Sequence, residues 1–137
     1  MNLVDKLMKA DAKKIDEKAT GTFKSYQLAR ILGESDPVEI ELQEISSRRQ
    51  TELIASAVKD DGGVDVARTY DANLKVVIAG VVNPPLKDKE LQDHFGCKMA
   101  IDLAEKLFKS EVTDIAAAIL DLGKIGDVKT DEEEIKN

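Results

Sequence analysis

The one histidine, His94, stands three residues before the one cysteine, Cys97. An imidazole beside a thiol can make a nucleophile, because the ring takes the thiol proton and leaves a reactive thiolate. Gly96 lies between the two and predicts a helix end there, so regular helical spacing does not join them. No orienting group or anion-stabilising motif accompanies the pair. A helix-end histidine and a packed cysteine are the simpler reading. Asp88, Glu90, Asp93, Asp102 and Glu105 offer carboxylates for acid–base work, but they interleave with Lys87, Lys89, Lys98 and Lys106, as on a solvated helix face. Gly62-Gly63 lacks the lysine and hydroxyl residues of a phosphate-cradling loop and predicts a turn. The sequence contains no clustered His/Cys ligand set and no calcium-loop pattern. No catalytic residue, metal or cofactor is therefore expected. Arg48-Arg49 opens a helix, yet two arginines on a chain of net charge −7 are too few to hold nucleic acid.

The same acidity opposes anionic membrane surfaces. No apolar run approaches the roughly 20 residues needed to span a bilayer. Asp5, Lys6 and Lys9 interrupt the N-terminal apolar positions, so these do not read as a signal peptide. A lone cysteine forms no internal disulfide. A soluble intracellular protein is expected. At 137 residues and 42% hydrophobic content the chain supports one core. Aromatic residues are only 4%, without tryptophan, so Leu, Ile, Val and Ala must fill that core.

The expected fold is mainly α (α+β): a compact domain of about five to six helices with one short β element near residues 38–45. Residues 2–18 carry a narrow helical stripe of Leu3, Val4, Leu7 and Met8, with Ile15 beyond. A short helix over 24–32 ends at Gly33. Residues 38–45 alternate apolar and polar with period two, the signature of a half-buried strand. Its backbone needs a partner, either residues 21–26 or another subunit. Ser46-Ser47 followed by Gln50 resembles a capping box that opens a helix over 47–60, with Leu53, Ile54, Ala57 and Val58 inward. A helix over 65–82 presents Tyr70, Leu74, Val77, Ile78 and Val81, and Asn83-Pro84-Pro85 stops it. Asp88 caps a short helix carrying Leu91 and Phe95. Residues 99–109 form the next helix, and Ser110 caps a last one that ends at Gly123. The organisation expected is an N-terminal amphipathic helix (1–20), a helical domain (21–125) and a disordered acidic tail (126–137) of local charge −3.

With catalysis set aside, apolar surface is what remains to carry function. Leu3 and Leu7 sit on a detachable helix. The segment Val82, Asn83, Pro84, Pro85, Leu86 is a rigid loop followed by Leu91 and Phe95. These residues are the candidates for binding another chain. Periodicity alone favours the core for both sets.

Residues 73–107 read NLKVVIAGVVNPPLKDKELQDHFGCKMAIDLAEKL. An apolar helix runs to Val82 before a proline loop. A P-x-L-x-D-x-x-L-Q run follows through Pro84, Leu86, Asp88 and Leu91-Gln92. Phe95-Gly96 comes next, and then a helix through Asp102-Leu103 to Leu107. This order resembles the XkdN-like tail assembly chaperones of phages, and the likeness extends over roughly residues 22–124. The polar segment 9–20 departs from it. The resemblance implies a non-enzymatic assembly role in the bacterial host cytoplasm, absent from the mature particle. It implies reversible binding of the tape measure protein. The tail tube protein and a frameshifted longer form of the chain itself are further candidate partners, whereas nucleic acid and membrane are not. The rival reading is a structural tail or baseplate adaptor. The sequence leaves monomer or dimer open.

Overall fold

The computed structural model describes residues 2–124. The expected acidic tail, 126–137, lies outside the described residues. Seven α-helices and three strands run in the order α1 (Leu3–Lys9), β1 (Thr20–Ser25), α2 (Tyr26–Leu32), β2 (Val38–Gln43), α3 (Ser47–Ala55), α4 (Val66–Gly80), β3 (Val81–Asn83), α5 (Lys89–His94), α6 (Ala100–Phe108) and α7 (Val112–Asp121). Six of these helices and the sheet form the body, and α1 precedes it.

The strand read at 38–45 is β2, the middle strand of an antiparallel sheet ordered β1-β2-β3. Its partner is the neighbouring segment of the same chain, with Thr20 opposite Gln43 and Ser25 opposite Val38. On its other side Leu42 pairs with Val81 and Glu41 with Asn83, which leaves Val82 as the extra residue of a bulge. The sequence marks one strand where the structure has three, and both omissions have local causes. The inward positions of β1 are Gly21, Phe23 and Ser25, so two of three carry no apolar signal. A Cβ on Gly21 would lie 2.9 Å from Leu122 Cδ2, so the small residue is required. Ser25 is fully buried because its hydroxyl donates to Glu111 Oε1 (2.6 Å) and accepts from the Leu28 amide (3.1 Å). Glu111 Oε2 also accepts from the Tyr26 amide (2.8 Å) and so caps α2. The third strand continues the apolar run of α4 without a polar break, which reads as more helix. The chain in fact leaves the helix at Gly80, before the prolines.

Other boundaries differ for similar reasons. The helix expected over 2–18 breaks at Ala10, and Ala12–Asp16 forms a 3-10 turn. The segment 24–32 gives up its first two residues to β1. The helix expected over 47–60 ends at Ala55, after which residues 57–65 make a tight hairpin with Gly62 at φ +88°. Ser46 caps α3 by accepting from the Arg49 amide (3.2 Å), but Gln50 donates to the Ile45 carbonyl, so the box is only half formed. Ser110 caps nothing: it sits in a 3-10 turn, and α7 begins without a side-chain cap. Asp88 caps α5 as expected, accepting from the Glu90 amide (3.1 Å).

The core forms where one face of the sheet meets α4, α6 and α7. Ile40 and Leu42 from β2 point into it, with Leu74 and Val77 of α4, Leu103 and Phe108 of α6, and Val112, Ile115 and Ile119 of α7. Helices α4 and α7 cross in close contact at Gly80, where a Cβ would stand 2.5–2.8 Å from three carbons of Ile119. No described helix is long and apolar enough to cross a membrane.

Candidate protein-binding surface

The residues with chemical potential are spread out rather than assembled. His94 ends α5, where its ring packs edge-on against Phe95 at 5.0 Å between centroids. Cys97 is buried, and its thiol donates to the Phe95 carbonyl (3.7 Å). Glu90, Asp93, Asp102 and Glu105 are exposed on α5 and α6. Gly62-Gly63 forms the hairpin turn, in which the Gly63 amide donates to Asp61 Oδ1 (2.8 Å). Arg49 pairs with Glu52 on the surface of α3. Among the described residues, no group of three or more His, Cys, Asp or Glu stands close enough to hold a metal ion. Burial, and then the charge of the neighbouring Glu105, push the Tyr70 phenol above its ordinary value.

The loop after β3 divides the proposed binding residues. Val82 is 47% exposed, Pro85 is exposed and Pro84 is half-buried. Leu86 is a core residue at 2% exposure, so it presents no side chain to a partner while the fold stands. Gln92 holds it there, because its buried side-chain amide donates to the Leu86 carbonyl (2.8 Å). Leu91 and Phe95 are half-buried against the core and show an edge outward. A shallow groove of about 220 Å³ along β3 is lined by Gln43, Ile78, Ala79, Val82, Pro85 and Lys87, with Val81 and Leu86 at its base. It falls below the roughly 300 Å³ at which small-molecule pockets begin, but it suits one or two apolar side chains of another polypeptide. A wider cleft of about 440 Å³ lies between residues 15–18, 44–47 with Gln50, and Leu120, Gly123 and Lys124, and its walls mix charged, polar and apolar side chains.

Helix α1 stands apart from this surface. None of its seven residues is buried: Leu3 is 70% exposed, Val4 65%, Leu7 64% and Met8 81%. Leu3 and Leu7 are thus exposed, as a partner-binding role needs.

A second apolar patch was not predicted. Ile54 and Val58, expected to point inward, are 57% and 41% exposed. The helix that would have turned Val58 inward stops at Ala55, and the hairpin carries Val58 out beside Val64, its antiparallel bridge partner. Val64 and Val66 are 67% and 85% exposed. The Gly62-Gly63 turn between Val58 and Val64 was the signal for this hairpin, because such a pair folds flanking residues against each other.

No curated protein matches this chain in sequence. Its fold is similar to that of the crystal structure of the protein yqbn, a structural-genomics target, with a TM-score of 0.50 and 15% identity over 75% of this chain and 84% of that one. The family model described as phage XkdN-like tail assembly chaperone protein matches residues 4–136, further in both directions than the sequence likeness over 22–124. The order of motifs from Val82 to Leu107 and that match agree: the chain belongs to the XkdN-like phage tail assembly chaperone family.

Proposed function

We propose that this tail assembly chaperone binds the tape measure protein reversibly in the host cytoplasm and keeps it soluble until the tail tube assembles. The observation that carries this reading is the family match over residues 4–136. The physical logic supports it. A long amphipathic helix with bare apolar stripes self-associates or is degraded unless something covers it. The groove beside β3, lined in part by Ile78, Ala79, Val82 and Pro85, offers a shallow apolar socket for such a stripe. Shallow sockets suit a complex that must come apart when tube subunits displace the chaperone. The net charge of −7 keeps the complex dispersed.

The test is co-expression with the tape measure protein in a bacterial host. The tape measure protein alone should aggregate or be degraded, and with the chaperone it should be recovered soluble. Val82→Asp and Pro85→Asp should fold normally, since both side chains lie at the surface, yet lose capture. Leu86→Asp should fail to fold, because it places a charge at a core position. A tape measure protein that stays equally insoluble in the presence of the chaperone refutes the reading. Stoichiometric retention of the chain in purified particles points instead to a structural adaptor.

A further inference from the structure

We propose that the outer edge of β1 accepts an extended segment of another polypeptide as a fourth strand, and that this segment carries lysine or arginine at the alternate positions that face α7. The inference does not rest on tape-measure binding. It starts from the ladder. Glu44 N–H donates to Ala19 O (2.8 Å) in the same register that pairs Thr20 with Gln43. Antiparallel ladders alternate, so Gly21, Phe23 and Ser25 also turn their main chain toward β2. Thr20, Thr22 and Lys24 turn theirs to the open edge. Among the described residues, none bonds to these three amides and carbonyls.

The two edges of the sheet are not alike. Strand β3 has three residues and a bulge at Val82, and Pro84 follows it directly. Strand β1 has six residues in unbroken register without bulge or proline. A regular edge of that length is a template for another strand. The bare apolar side chains of α1 (Leu3, Leu7) and α2 (Tyr26, Ile31, Leu32) stand on helices, and those of the hairpin flank a single bridge. They can pack, but they offer no extended row of free main-chain groups.

Helix α7 selects the occupant. It lies along β1: Glu111, just before the helix, bonds Ser25 at one end, and a Cβ on Gly21 would stand 2.9 Å from Leu122 at the other. Glu111, Ile115, Ala118 and Leu122 therefore form the stripe that faces β1, and Ile119, about 100° further round, faces α4 at Gly80. Asp114 and Asp121 lie about 40–60° round from Ala118 on the side away from α4, so they overhang the open edge. Both are exposed, and α7 contains no lysine or arginine. In a strand laid against β1, the side chains opposite Gly21, Phe23 and Ser25 point at these carboxylates, and charge complementarity asks for Lys or Arg there. Two other occupants fit worse. A second copy paired through its own β1 would bring its α7 onto the same face. Strands about 4.8 Å apart leave too little room for helices over both, which need about 8–10 Å, and the aspartates of the two copies would meet. Residues 125–137 of the chain hold two lysines against five acids, a net of −3, which is the wrong charge.

The probe is a seven-residue peptide that alternates threonine and lysine, added to the full chain while hydrogen exchange is followed amide by amide by NMR. In the free chain Thr20, Thr22 and Lys24 should exchange fast, and Gly21 and Phe23 slowly. With the peptide, the three edge amides should slow by about tenfold or more, and a peptide alternating threonine and glutamate should leave them unchanged. Asp114→Asn with Asp121→Asn, both at exposed positions, should weaken binding by about tenfold. Thr22→Pro removes the central edge donor, which takes no part in pairing with β2, so binding should be lost while the circular dichroism stays that of the parent. If Thr22→Pro unfolds, the aspartate pair decides. Edge amides that stay fast with the lysine peptide, or binding indifferent to the two aspartates, overturn the proposal. So does protection of those amides in the free chain: at every concentration it means that the chain covers its own edge, and only at high concentration that a second copy does.

Discussion

Replacing Gly80 by alanine adds one methyl group at the close crossing of α4 and α7. The new Cβ would lie 2.5 Å from Ile119 Cγ2, 2.6 Å from Cδ1 and 2.8 Å from Cγ1. Ile119 is fully buried, so it has no solvent into which to swing, and α4 and α7 must part or the isoleucine must leave its preferred rotamer. Overpacking of this kind costs about 1–3 kcal/mol. Alanine recovers up to about 1 kcal/mol of helix propensity, and less at Gly80 because it is the last residue of α4. The net expectation is a loss of about 1–2 kcal/mol. For a chain of 137 residues that is roughly 3–7 °C in Tm. Urea unfolding followed by far-UV circular dichroism should show a lower midpoint with an unchanged slope, since the surface exposed on unfolding stays the same. Ile119→Ala supplies the control. Alone it leaves a cavity and costs about 2–5 kcal/mol. In that background the Gly80→Ala methyl group enters empty space, so its effect should fall to zero or turn favourable, a coupling of about 1–3 kcal/mol. If Gly80→Ala stabilises the parent, or costs the same in both backgrounds, the close crossing does not govern this interface.

Three further outcomes follow from local geometry. Lys109 closes α6 at φ +49°, ψ −121°, a region where a Cβ is strained; Lys109→Gly should raise the unfolding free energy by about 0.5–1.5 kcal/mol despite the added chain entropy of glycine, read as a higher urea midpoint. Ser25→Ala strips the buried hydroxyl that links Glu111 to the start of α2; stability should fall by about 1–3 kcal/mol, and the Leu28 amide should exchange its hydrogen faster. The folded Tyr70 phenol keeps its proton above its ordinary value of 10.0, so its contribution is complete below pH 10 and is lost as the pH rises through the folded value. In Tyr70→Phe the alkaline loss of stability above pH 10 should therefore be shallower than in the parent.

What was legible in the sequence was whatever rests on one chain segment alone. The stripe of α4, the alternation of β2, the Asp88 cap and the Gly96 stop each depend on residues within a few positions, and each appears in the fold. What was hidden depends on distant partners. Gly21 and Ser25 look like loop residues until Leu122 and Glu111 stand opposite them, and only then does small or polar become the right choice for an inward strand position. Val81 and Val82 look like helix until β2 offers an edge to pair with. Ile54 and Val58 look like core because the end of α3 at Ala55 is not marked by a glycine or a proline.

The proposed binding surface was harder to read than the fold, for a physical reason. A catalytic site announces itself through residue types that a core does not need, such as paired ionisable groups held in a fixed geometry. A surface that shields another polypeptide uses the side chains of the core itself. Val82 and Leu86 are four residues apart in one loop and equally apolar, yet the first is 47% exposed and the second 2%. The difference lies in a strand bulge at Val82 and in a buried glutamine that fastens the Leu86 carbonyl, and neither is encoded at the position it affects. Composition therefore sets how much apolar surface the chain owns, and tertiary contacts decide which part is left bare. Among the described residues the bare part includes α1, Tyr26, Ile31 and Leu32 of α2, the hairpin after α3 and Val82 of β3, and much of it lies where a secondary element ends or begins. Apolar side chains at element ends stay uncovered because no regular neighbour packs there, so such ends can present apolar surface without weakening the core.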